Sequence, residues 1–186
     1  YYADINPNIR ILTTPLHHTS FRNIIEKYVK QENIFILEIN DTYNEISGIP
    51  QEDGINVLVD LCIVTHLFGQ DMGCDILKKY NKKNPDCIMI EDRVQGGEFN
   101  KIFSYEFMDI SLYSTGMDKK PCALGGGFLC INKQKCERDN LFYYLLRTIS
   151  NYPKENMYHR LLFLSKKVLN LSIFSKFDLR VSALIN

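Results

Sequence analysis

The chain carries no net charge, because 22 Lys and Arg balance 22 Asp and Glu over 186 residues. No overall field therefore draws it to nucleic acid or to an anionic membrane. Its six cysteines form no CxxC pair and share no ligand-like spacing with the four histidines, which removes the common zinc and thioredoxin-type readings. No uninterrupted apolar run is long enough to span a bilayer, and nothing at the start reads as a signal peptide. Internal repeats and low-complexity segments are missing too. Cys62, Cys87 and Cys130 sit inside apolar runs, where a free thiol behaves as a small hydrophobe, so we expect a reducing, cytoplasmic setting.

What is present is a globular composition, 45% hydrophobic and 12% aromatic, in a length that suits one domain with a sizeable core. The chain opens on Tyr1 and stops at Asn186 soon after a helical pattern, and we read it as a piece of a longer protein.

Apolar patterning sets the expected order of elements. Arg10–Thr13 is a short strand ended by Thr14-Pro15. HHTSFRNIIEKYVKQ is an amphipathic helix with Thr19 or Ser20 as its cap. Ile34–Ile39 is a second strand, residues 40–54 a polar loop, and Ile55–Thr65 a third strand by its β-branched content. A helix is expected over 71–83, then a core strand CIMI that ends in Glu91-Asp92. Asp109–Ser114 and Gly127–Ile131 are further strands. Asp139 or Asn140 caps a helix through Leu145, Leu146 and Ile149, and Pro153 separates it from another through Tyr158 to Val168. Alternating strands and helices predict an α/β fold, with three α/β/α layers and a mainly parallel sheet.

The chemistry concentrates between Cys87 and Gly127. A carboxylate at the carboxyl end of a core strand sits where α/β folds gather ligands. The lysine pair Lys119-Lys120 precedes three glycines. Taken alone, a strand-end aspartate reads as a cap and a loop lysine as a solvated charge.

Four segments in order carry a more specific resemblance: ILTTPLHHTSFRNII, IVTHLFGQ, IEDRVQ and SLYSTGMDKKPCALGGG. Together they resemble the sugar aminotransferases of the DegT/DnrJ/EryC1/StrS group, which are pyridoxal-phosphate (PLP) enzymes of fold type I. The resemblance covers most of residues 10–132 and implies part of the large, PLP-binding domain over 1–135, with 136–186 leading toward a small domain. It also implies a homodimer. The phosphate-binding helix start of that family would precede this region.

The resemblance also implies roles. Lys119, five residues after Ser114, is the covalent anchor for PLP and the catalytic base, with Lys120 as the competing position. Asp92 pairs with the ring nitrogen, Gln95 with the phenolic oxygen, and Ser114 with the phosphate. His18 takes the place of a ring-stacking aromatic, or His17 under a one-residue shift; His66 is read as structural. Arg93 stands where the family has a small residue and Gly125 where an acidic one is frequent, and both departures bear on substrate choice. The implied reaction moves an amino group from an amino-acid donor, glutamate foremost, to a keto sugar that is nucleotide-linked. A lysine at the anchor position argues for amino transfer, since the members that dehydrate sugars carry histidine there. Three alternatives stay open: another PLP-dependent activity on this fold, a non-catalytic homologue serving as a binding scaffold, and a plain doubly wound ligand-binding domain.

Overall fold

The computed structural model describes residues 6–96, 102–115, 126–132 and 140–151. The chain divides into two compact units, Tyr1–Arg147 and Thr148–Asn186, and the large sheet lies in the first. Its strands in chain order are β1 (Ile11–Thr13), β2 (Ile34–Ile36), β7 (Leu61–Thr65), β8 (Ile88–Asp92), β9 (Ile110–Ser114) and β10 (Gly127–Ile131). Between β2 and β7 lie two small antiparallel pairs, β3 (Glu38–Ile39) with β4 (Ile46–Gly48) and β5 (Gln51–Glu52) with β6 (Ile55–Asn56).

The six-stranded sheet has the spatial order β10-β9-β8-β7-β1-β2 and is parallel except for β10. Successive side chains alternate between its faces, so the register sorts the core. On one face Ile11, Ile63 and Ile90 meet helix α1 (Thr19–Tyr28) through Phe21 and Ile25. Farther along that face, Ile88, Ile110 and Leu129 pack with Leu145 of α3 (Leu141–Asn151). On the other face Leu12, Cys62, Val64 and Met89 pack against Leu77 and Tyr80 of α2 (Asp75–Lys83) and against the β3-β4 pair through Ile46. The result is the three-layer α/β/α arrangement expected from the alternation of elements.

Several local expectations are corrected. Ile55–Thr65 is not one strand: Ile55-Asn56 turns back on Gln51-Glu52, and β7 begins only at Leu61. Asp53 and Gly54 both have positive φ in that turn, 52° and 77°, the conformation an Asp-Gly hairpin favours. The intervening buried segment is held by Tyr80, whose hydroxyl donates to the Val57 carbonyl at 2.8 Å and accepts from the Val59 N–H at 3.2 Å. Burial pushes this phenol up to about 12, so it remains a donor throughout the neutral range. The second expected strand ends at Ile36, and Glu38-Ile39 joins the separate β3-β4 pair. Residues 40–54 are thus not all loop. The helix expected from Asp71 starts at Asp75.

Cys62, Cys74 and Cys87 are buried, and burial drives the thiols of Cys62 and Cys74 upward. Among the described residues no helix is long and apolar enough to cross a membrane. The expected helix beyond Pro153 lies outside the described residues.

Candidate functional site

The parallel strands β7 and β8 end side by side, Thr65 opposite Asp92. Beyond their carboxyl ends is a cleft of about 410 Å³, lined by His18, Ser20, Phe21, Ile24, Thr65, Leu67, Asp92, Val94 and Gln95. This is the location in which open α/β sheets gather ligands. Three residues singled out in the sequence, His18, Asp92 and Gln95, come together here although they lie on separate segments of the chain.

Asp92 is held from both sides by its backbone. Its carbonyl accepts the His66 N–H at 2.9 Å, and the next amide, Arg93 N–H, donates to the Leu112 carbonyl at 2.8 Å. The half-buried side chain uses Oδ1 to accept the Val94 N–H at 3.0 Å. Among the described residues Oδ2 has no hydrogen-bond partner. Asp92 is therefore both a turn-stabilising residue and a carboxylate with one oxygen available to the cleft.

Gln95 is exposed in the turn after β8, where its carbonyl accepts the Gly69 N–H at 2.9 Å. Gly96 lies flat against His66, and a Cβ there would overlap the His66 Cβ, so this position requires glycine. The chain after β7 and the chain after β8 are in this way stitched together by backbone bonds.

His18, rather than Thr19 or Ser20, is the N-cap of α1. Its Nδ1 accepts the Ser20 N–H at 3.2 Å and contacts Ser20 Oγ at 2.7 Å. This capping fixes the ring while leaving it exposed at the cleft. His17 leans on Phe21, with ring centroids 5.1 Å apart, and lines a different pocket with Arg22 and Glu26. Of the two histidines, His18 lines the cleft that Asp92 lines, and His17 lines the other pocket.

His66 is fully buried and does not face the cleft. Its Nδ1 accepts the Met72 N–H at 2.8 Å, so its proton sits on Nε2, which donates to Glu91 Oε2 at 3.1 Å. Glu91, also fully buried, accepts the Ser104 N–H at 3.1 and 3.2 Å through its two oxygens. Burial pushes its carboxyl upward, but the hydrogen bonds from His66, Ser104 and Ser111 outweigh that and hold it below the usual carboxylate range. The sequence offers no direct sign of this pair, which is 25 residues apart.

Arg93 is 2% exposed and belongs to the face opposite Asp92. The departure at this position therefore leaves the cleft lining untouched. Ser114 lies on the Asp92 face at the end of β9, half-buried and outside the cleft lining. Lys119, Lys120 and Gly125 lie outside the described residues. Among the described residues no cluster of His, Cys, Asp and Glu is arranged to hold a metal ion.

No family model matches the chain, and no curated protein does. In structure it is similar to a PLP-bound candidate aminotransferase of Clostridium difficile 630, with a TM-score of 0.50 and 16% identity. The match covers 91% of this chain and 47% of that one. The fold resembles part of an aminotransferase structure. The chain spans about half the length of that protein, and at this identity the likeness speaks to the fold.

Proposed function

We propose that this chain forms part of the cofactor-binding domain of a PLP-dependent aminotransferase that moves an amino group from glutamate to a nucleotide-linked keto sugar. The observation that carries the reading is the carboxylate of Asp92 at a core-strand end, with Oδ2 unpartnered among the described residues, sharing one cleft with His18 and Gln95. The donor set suits PLP: a carboxylate for the ring nitrogen, an amide for the phenolic oxygen and an aromatic ring beside them. The likeness in fold to a PLP-bound protein supports the same assignment.

When bound, PLP supplies an electron sink for charge developing at the substrate carbon. Asp92 would hold a proton at the ring nitrogen through Oδ2, while the Val94 N–H orients its other oxygen. The Gln95 amide would donate to the phenolic oxygen from a turn fixed by Gly69 and Gly96. His18 would cover the ring, its own orientation set by the Ser20 cap. Lys119 is proposed as the covalent anchor, whose Nζ moves the proton between the substrate carbon and the cofactor carbon. Ser114 is the proposed phosphate contact, on the same sheet face as Asp92. We place the active protein as a homodimer, the form the sequence resemblance implies, in the reducing, cytoplasmic setting that the cysteines in apolar runs suggest.

The test is the donor half-reaction. The full-length protein, loaded with PLP and mixed with glutamate in the absence of any acceptor, is expected to release 2-oxoglutarate in proportion to bound cofactor. PLP retained with no 2-oxoglutarate released from glutamate or any other amino acid would argue for a bound but idle cofactor and overturn the aminotransferase assignment.

A further inference from the structure

We infer that Arg93 is a positioning residue: from the opposite face of the sheet, and together with Glu91, it fixes the backbone that presents Asp92 and Gln95 to the cleft. The inference rests on the cofactor reading above.

The argument starts from alternation. In the extended segment 91–93, neighbouring side chains leave opposite faces of the sheet. Asp92 faces the cleft, whereas Glu91 and Arg93 are both buried behind it, with exposures of 0% and 2%. A buried guanidinium costs several kcal/mol in lost hydration, and an apolar side chain of similar volume is often no less stable. Stability alone is thus a weak reason for an arginine at this site.

Its partners suggest the better reason. Nη1 donates to the Tyr113 hydroxyl at 2.6 Å, and Nη2 donates to Asp71 Oδ1 and Oδ2 at 3.0 and 3.4 Å. The guanidinium carbon also lies 5.2 Å from the centre of the Tyr113 ring. Tyr113 passes the linkage on by donating to the Ile102 carbonyl at 2.7 Å. One side chain therefore ties the turn after β8 to the loop after β7, through Asp71, and to β9, through Tyr113.

Glu91 makes the matching tie one step earlier, to His66 and to the Ser104 amide. Asp92 sits between the two braces. Its own side chain has a single hydrogen bond within the described structure, to the Val94 amide, so the backbone carries most of its orientation. Rotation at 92 would have to break a buried hydrogen bond of Glu91 or of Arg93.

The test uses full-length protein loaded with PLP labelled with ¹⁵N at the ring nitrogen, whose NMR shift reports whether that atom carries a proton. In the wild type the nitrogen is expected to be protonated across the neutral range. In Arg93→Met its proton should be lost at a lower pH, and kcat for the donor half-reaction should fall by up to about 10²-fold, the cost of misplacing a catalytic group by about 1 Å. Arg93→Lys should recover part of both, since a lysine keeps the charge without the planar fork.

Tyr113→Phe gives an independent variant should Arg93→Met fail to fold. It keeps the Arg93–Asp71 pair and the ring that stacks on Phe128, with centroids 4.4 Å apart, and should shift the nitrogen in the same direction by less. A wild-type nitrogen shift and pH profile in the folded variants would overturn the positioning role. Absence of bound PLP in the wild type would instead remove the cofactor reading on which it depends.

Discussion

Replacement of Asp92 by alanine is expected to slow the glutamate half-reaction by about 10²–10³-fold, the range for removing a preorganised group from developing charge. The carboxylate would no longer hold a proton on the ring nitrogen, and the ring would accept electrons poorly. Asp92→Asn should behave almost as badly. Its amide can still accept the Val94 N–H through one oxygen, yet it has no negative charge to retain a proton on the ring. The fold should survive both changes, because the side-chain bond lost is a single one worth about 1 kcal/mol. Single-turnover rates with PLP-loaded protein, set beside urea unfolding of the same variants, separate chemistry from stability. A wild-type rate in Asp92→Asn would remove Asp92 from the site.

The largest expected effect on stability is at Glu91. Its removal in Glu91→Ala leaves the His66 Nε2–H and the Ser104 N–H without their acceptor in a closed interior, at a cost of about 1–3 kcal/mol for each unmet donor. The pH dependence follows from the direction of the shift. Folding lowers the carboxyl below its ordinary value of 4.5, so its contribution is fully present above that value. It is lost as pH falls through the lower value of the folded state. Wild-type stability should therefore drop on acidification below 4.5, and Glu91→Gln, which cannot ionise, should lose less over the same interval. Urea midpoints measured through that window check this. Equal slopes for wild type and Glu91→Gln would show that Glu91 is not the group responsible.

Periodicity revealed those parts of the fold in which one element follows another without reversal. The apolar run CIMI marks β8 and the short segment DISLYS marks β9, and the amphipathic face of Phe21 and Ile25 places α1 on the sheet. It failed between 55 and 65, where an apolar, β-branched run conceals an irregular segment between two separate strands, Ile55–Asn56 and Leu61–Thr65. Asp60 ends the irregular part by accepting the Arg10 N–H at 2.7 Å, a contact 50 residues away that local patterning cannot show. The Asp53-Gly54 pair did carry the missing hairpin signal.

The candidate site divides along the same line. His18, Asp92 and Gln95 were legible because each belongs to a short segment with its own resemblance, and the sheet then brings the segments together. The braces behind Asp92 were not. Glu91 and His66 become partners only through the pairing of β7 with β8, and Arg93 reads as a change in the cleft until alternation places it on the other face.

Borohydride reduction of the full-length protein after incubation with PLP, followed by mass-spectrometric mapping of the modified peptide, tests the cofactor assignment most directly. The expected result is a single stable adduct on Lys119, while an adduct on Lys120 would move the anchor by one position and keep the rest. No adduct on either lysine would contradict the assignment of this cleft to PLP.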